Sequence, residues 1–290
     1  MTVNVPWQWI RATTIAIVTS VGCPEQAAFA SHGIAPAQLL TALEKSALTW
    51  NVPRTNDLAL ICSGEGGAAV YADKIGLNAT TMDWINGEWY NLLAPIGVVY
   101  AMWCILSLKP KALMWASPNC KSWLSFISRN WSQRGYGTAI VGNYTIAEVE
   151  DANAGAIYIA YFMVVCATRD VFTALEQPIN TLLYRFPAIC DSLLMVGGTR
   201  FVSSLGAFGA SSMKMLEVYT TLPVKVVKKH LVKKGSAFRK RCAREHRRPK
   251  QLATKKGHWT TGKREAMHAS RAYPLDFCIA MVQSAIEAAA

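Results

Sequence analysis

At 290 residues and 52 % hydrophobic, the chain carries enough apolar content to bury one large domain, or one domain plus an appendage. Its eight cysteines are scattered with no CxxC pair, which excludes a zinc ribbon and a secreted disulfide scaffold. The net charge of +12 is local: residues 225–256 hold fourteen Lys and Arg against the single acid Glu245, and the rest is near neutral.

Residues 1–55 read as an N-terminal extension with a helix near Pro36–Leu48. Arg11, the apolar stretch Thr13–Val21 and Ala28-Phe29-Ala30 loosely resemble a signal peptide. The stretch is short and interrupted by polar residues, so the expected setting is intracellular. From Asp57 the pattern is regular. A short apolar run, Leu58–Cys62, ends in Ser63-Gly64-Glu65-Gly66-Gly67, a helical stretch follows to Lys74, and Leu77–Met82 is a second strand ending at Asp83-Trp84. Strand, glycine turn, helix, strand and acid form the first half of a doubly wound nucleotide fold.

The apolar run Leu92–Leu108 predicts a helix stopped by Pro110, and Ala112–Ala116 a third buried strand ending in Ser117-Pro118-Asn119-Cys120. Ser122–Tyr144 reads as a long loop, Glu148–Cys166 as a helix, and Asp170–Leu175 as a fourth strand ending in Glu176-Gln177-Pro178. Thr199–Leu205 and Glu217–Thr221 are further extended pieces, and Phe277–Ala289 is a final helix. The expected fold is α/β, a doubly wound and mostly parallel sheet over 56–221, with a basic segment at 222–259 and a C-terminal segment, 260–290, packing back. The two longest uncharged runs fall short of the about 20 residues of a membrane span, so a membrane-spanning reading ranks below a buried helix.

Ligands of such sheets sit beyond the carboxyl ends of the strands. Four strand ends carry useful groups: the glycine turn, Asp83, Cys120 and Glu176. A glycine turn lets backbone N–H groups approach a ligand, and an acid after the second strand is placed for ribose hydroxyls.

These residues bear a resemblance. Leu60-Ile61-Cys62-Ser63-Gly64-Glu65-Gly66-Gly67 resembles the first motif of the cytosine carbon-5 DNA methyltransferases, F-A-G-x-G-G. Asp83-Trp84 resembles the second motif, Ser117-Pro118-Asn119-Cys120-Lys121-Ser122-Trp123 the nucleophile motif G-P-P-C-Q-S-F, and Phe172–Pro178 the glutamate motif F-x-L-E-N-V. Phe208–Lys214 is similar to Y-G-V-P-Q and its following Arg strand, with Lys214 where an Arg is expected. Arg264-Glu265-Ala266 and Ala272–Phe277 are similar to R-E-A-x-R-L-Q-G-F-P-D-D-F.

The resemblance implies the S-adenosylmethionine-dependent methyltransferase fold and S-adenosylmethionine as cofactor. It places the cofactor at Gly64, Glu65, Gly66, Gly67, Asp83, Trp84 and Pro118, and catalysis at Cys120, Glu176 and Lys214, with no metal. Cys120 would add to cytosine carbon 6, and Glu176 would serve ring N3. The departures are specific: Asn119 replaces a proline, Gln177 replaces the asparagine that braces the cysteine loop, and the last motif, G-N-x-V-P, is missing. A catalytically inactive nucleic-acid-binding module that keeps the fold is therefore the alternative.

The basic window predicts a polyanionic partner, DNA or less readily RNA, bound through counterion release. Its expected contacts are Lys228, Lys229, Lys233, Lys234, Arg239, Lys240, Arg241, Arg244, Arg247 and Arg248. A nuclear-localisation signal is an equal use of Arg239–Arg248.

Overall fold

The apolar run after Thr55 becomes β1 (Asn56–Ile61), whose Leu58 and Leu60 enter one core while Ala59 and Ile61 enter another. Burial on both faces is what a continuous apolar run encodes. The computed structural model describes residues 52–62, 64, 66–87, 90–124, 131–135, 140–210, 214–233, 240 and 273–290. The expected helix at Pro36–Leu48, the signal-like stretch and most of the basic window lie outside these residues.

After β1 come α1 (Gly67–Lys74), β2 (Ala79–Met82), α2 (Pro95–Leu106), β3 (Leu108–Ala116), α3 (Ala147–Thr168) and β4 (Phe172–Pro178). Then follow α4 (Pro187–Val196), β5 (Thr199–Ser204), β6 (Met215–Thr220), α5 (Val224–His230) and α6 (Leu275–Ala289). The strands form one six-stranded sheet in the order β2-β1-β3-β4-β6-β5. β2, β1, β3 and β4 are parallel neighbours, and β6 is inserted antiparallel between β4 and β5. The chain is thus α/β with a mostly parallel sheet, compatible with a Rossmann-like fold.

Helices cover both faces. α2, α3 and α4 close a core holding Ile105, Phe162, Met163 and Ile189, whereas α1, α5 and α6 close one holding Trp115, Phe208, Phe277 and Met281. α3 is the one described helix long and apolar enough to cross a membrane, and half of its most apolar stretch is buried inside the fold. From β1 the chain goes to β2 on one side and then crosses to β3 on the other. That reversal is a topological switch point, and sheets of this kind take their ligands there, beyond the carboxyl ends of β1 and β3.

Several boundaries differ from the sequence reading, and three differences bear on the site and the basic window. α2 stops at Leu106, not at Pro110, and β3 already begins at Leu108. Pro110 is tolerated because β3 is irregular there: its register against β1 jumps from Asn56↔Leu108 to Leu58↔Leu113, and Lys111 has φ 64°. β4 runs on to Pro178 because β6 pairs with it through Glu176↔Val218 and Gln177↔Glu217. Glu176 and Gln177 therefore lie within the sheet rather than beyond it. Finally, α5 folds the start of the basic window into a helical layer: Val226 and Val227 are buried, and Lys229 and His230 reach Glu287 of α6 at 2.6 and 2.7 Å.

α6 is the lid of its face. Phe277 is fully buried, with ring centroids 5.8 Å from Trp115 and 5.1 Å from Phe208, both edge-on. Phe277→Ala is expected to cost about 3–5 kcal/mol, read from a lowered urea midpoint at unchanged slope. A loss below about 1 kcal/mol would show that α6 is not part of the folded core.

Candidate active site

The turn after β1 needs backbone that side chains resist. Gly64 and Gly66 have φ of 60° and 68°, left-handed values that glycine adopts without strain. A Cβ on Gly64 would meet nothing within 4 Å, so its backbone borders open space. A Cβ on Gly67 would come within 3.3 Å of the Cys278 sulfur, so this glycine lets α1 approach α6 closely. Ser63 and Glu65 lie outside the described residues.

Asp83, at the end of β2, is buried. Its Oδ2 accepts the Gly64 N–H at 2.7 Å and its Oδ1 the Ile85 N–H at 3.2 Å. The carboxylate thus ties the β1 turn to the β2 turn and retains further acceptor capacity on each oxygen. Burial, with a smaller contribution from Asp83, pushes the Cys62 thiol up to about 12. Trp84 stands beside Asp83 with 71 % of its surface exposed.

Beyond β3, Ser117 donates its N–H to the Ile61 carbonyl, which joins this turn to β1. The Gln177 amide donates to the Pro118 carbonyl at 2.7 Å, and its own oxygen accepts the Thr181 hydroxyl at 3.2 Å. Gln177 therefore braces the cysteine turn in spite of being one methylene longer than asparagine. Asn119 accepts the Lys121 N–H at 3.0 Å, and the Cys120 carbonyl accepts the Trp123 N–H at 3.0 Å. The half-buried Cys120 thus opens a 3-10 turn over Lys121–Trp123.

Arg134 clasps that turn from below. Its guanidinium lies 3.5 Å over the Trp123 ring and donates to Ser122 Oγ, the Ile140, Val141 and Val149 carbonyls and Asn153 Oδ1. Burial lowers it to about 10, while its five bonded acceptors offset the desolvation. The loop expected over Ser122–Tyr144 is therefore anchored to α3 through Arg134.

Glu176 is 5 % exposed. Its Oε2 accepts the hydroxyl of Tyr273, and its Oε1 is buried without a hydrogen-bond partner among the described residues. Burial raises its pKa; the Lys214 charge and the Tyr273 and Ser117 hydroxyls act in the opposite sense. Lys214, half-buried, is held at its backbone by Leu205, whose N–H it accepts at 3.0 Å. Sequence reasoning assigned no role to Tyr273 or Arg134. For Tyr273 a signal existed in the stretch Ala272–Phe277, but a lone Arg in a mixed loop gives none.

Gly64, Gly66, Gly67, Asp83, Pro118, Cys120, Glu176 and Lys214 gather at one end of the sheet. The described basic residues are exposed: Lys228 and Lys229 on α5, Lys233 just after it, and Lys240. Lys234, Arg239, Arg241, Arg244, Arg247 and Arg248 lie outside the described residues. The anchors of the basic window are informative nonetheless. The Lys233 carbonyl accepts the Ser204 N–H, beside the Leu205–Lys214 bond, and Tyr273 is bonded to Glu176. Both flank the site.

The raised pKa of Glu176 has a stability consequence. The folded chain keeps a proton that the unfolded chain releases near the ordinary value of 4.5. The stability this group contributes is complete below that value and is lost as pH rises through the folded-state pKa. Relative to Glu176→Gln, the native chain should lose stability with rising pH and then level off. Parallel pH–stability curves for the two would contradict the burial assigned to this carboxyl. In comparisons with known sequences, no protein-family model and no curated protein matches the chain.

Proposed function

We propose that the chain is an S-adenosylmethionine-dependent methyltransferase acting on carbon 5 of cytosine in DNA, with Cys120 as nucleophile. The observation that carries the reading is Glu176: a buried acid whose surroundings favour its neutral form, with Oε1 unpartnered among the described residues, next to Gln177, which bonds the cysteine turn. Cytosine carbon 5 is a poor nucleophile until something adds to carbon 6. The Cys120 thiolate forms that bond, and neutral Glu176 donates to ring N3, where negative charge develops. Gln177 keeps the turn in place through Pro118. The Lys214 charge limits how far burial raises the acid. After carbon 5 has taken up the methyl group, it loses its proton to water, the 5,6 double bond re-forms and the Cys120 thiolate leaves carbon 6.

The residues at the β1 and β2 ends fit the cofactor. Gly64 borders open space on a left-handed turn, and Asp83 keeps lone pairs for ribose hydroxyls. S-adenosylmethionine held there, at Gly64, Gly66, Gly67, Asp83, Trp84 and Pro118, supplies the methyl group that the activated carbon 5 takes up. DNA rather than RNA is the proposed substrate, in the nucleus, with the basic window holding phosphates beside a flipped-out base. The Lys233 carbonyl, inside that window, accepts the Ser204 N–H next to the Leu205–Lys214 bond, and Tyr273, which follows the window, bonds Glu176, which supports this use.

One observation favours a second reading, an inactive nucleic-acid-binding module that keeps the fold. Both carboxylate oxygens of Asp83 already serve backbone N–H groups. A mechanism-based trap separates the two. Release of the enzyme needs a proton at carbon 5, and fluorine cannot leave as one. DNA containing 5-fluorocytosine, with S-adenosylmethionine present, should give a denaturation-resistant adduct mapped to Cys120 alone. Cys120→Ser should give none, and Glu176→Gln should form it roughly a hundredfold more slowly. DNA binding without any adduct would hand the chain to the second reading.

A further inference from the structure

A chain of hydrogen bonds ends on Glu176 Oε2. Trp115 Nε1–H donates only, and it donates to Ser117 Oγ at 3.0 Å. The Tyr273 hydroxyl has one proton, and that proton goes to Glu176 Oε2. Either hydroxyl can donate in the 2.7 Å bond between Ser117 Oγ and Tyr273 Oη; with the Tyr273 proton directed to Oε2, Ser117 is the donor. Oε2 is thus held as an acceptor, and Oε1 is buried with no hydrogen-bond partner among the described residues.

We infer that Tyr273 is a positioning residue for Glu176: the chain Trp115 to Ser117 to Tyr273 makes Oε2 a fixed acceptor, so that the neutral acid carries its proton on Oε1. The inference deepens the methyltransferase reading and rests on it only for the identity of the substrate. A carboxylic acid with its proton set on one oxygen offers a donor to an incoming ring nitrogen, and so it selects rings that present an acceptor there. Cytosine N3 is an acceptor; thymine N3 carries a hydrogen and meets this group donor to donor. The aromatic packing explains how the relay keeps its geometry. Tyr273 lies 5.2 Å from Phe277, which packs edge-on against Trp115, so both ends of the chain of donors are fixed by one buried ring.

The groups facing Glu176 are Lys214, Tyr273, Ser117 and, more distantly, Tyr184, whose hydroxyl lies on the Leu175 and Glu217 carbonyls. The Tyr273 donor stabilises the charged carboxylate. Its removal should therefore raise the pH at which Glu176 loses its proton and free that proton to sit on either oxygen.

Infrared titration of the full chain, with the Glu176→Gln spectrum subtracted, reads this proton with no substrate present. In Tyr273→Phe the carboxylic-acid carbonyl band should persist to higher pH by about one unit, the effect of one lost charge-assisted bond. Ser117→Ala should shift it the same way by less. Urea unfolding of both variants checks that the fold is kept. In the adduct assay, Tyr273→Phe should lower the plateau rate by roughly tenfold and move the alkaline limb upward together with the infrared midpoint. An unchanged or lowered infrared midpoint in folded Tyr273→Phe would overturn the relay. A raised midpoint with no adduct from the native chain would leave the relay standing and remove the cytosine reading.

Discussion

A carboxyl group leaves water only if it is neutralised, paired or hydrogen-bonded, and the geometry around Glu176 answers that constraint. The residue sits in β4 because β6 runs antiparallel beside it and extends the sheet to Pro178. α6 brings Tyr273 to one of its oxygens, and the neighbouring residue, Gln177, bonds the turn that carries Cys120. Remove the acid and these three features, the inserted strand, the returning helix and the braced turn, lose the group they share.

The other half of the site is organised by a second carboxylate under milder conditions. Asp83 is buried less deeply, accepts two backbone N–H groups and joins the β1 turn to the β2 turn. Burial pushes Glu176 toward the neutral form, whereas Asp83 places one oxygen on each of two backbone N–H donors. Under the proposed function, Glu176 donates to a ring at one end and Asp83 accepts from hydroxyls at the other. Arg134 adds a third constraint, a buried cation that uses only neutral acceptors and a ring face to fix the turn following Cys120.

Much of the fold was legible because its signals are local. Runs such as Leu58–Ile61 and Leu113–Ala116 are short, apolar and ended by glycine, proline or acid, and they are strands. The groups at their ends therefore converge. What was not legible depends on distant partners. Nothing near Glu176 says that β6 will pair with it, so β4 was read as ending one residue too soon to include it. Tyr273 reaches Glu176 across 97 residues of chain, and Arg134 binds Asn153 through geometry that no spacing encodes. α5 was hidden by its lysines, since only Val226 and Val227 mark its buried side. Gln177 was read as a departure from the expected asparagine, yet its amide reaches Pro118.

The claim on which the rest turns is that the site at the carboxyl ends of β1, β2 and β3 holds a methyl donor beside Cys120 and Glu176. Calorimetric titration of the full chain with S-adenosylhomocysteine addresses it without requiring turnover. One-to-one binding is expected, weakened by roughly tenfold in Asp83→Asn, which keeps an oxygen for a backbone N–H but loses the charge. A folded native chain that gives no binding heat at millimolar ligand would contradict the account.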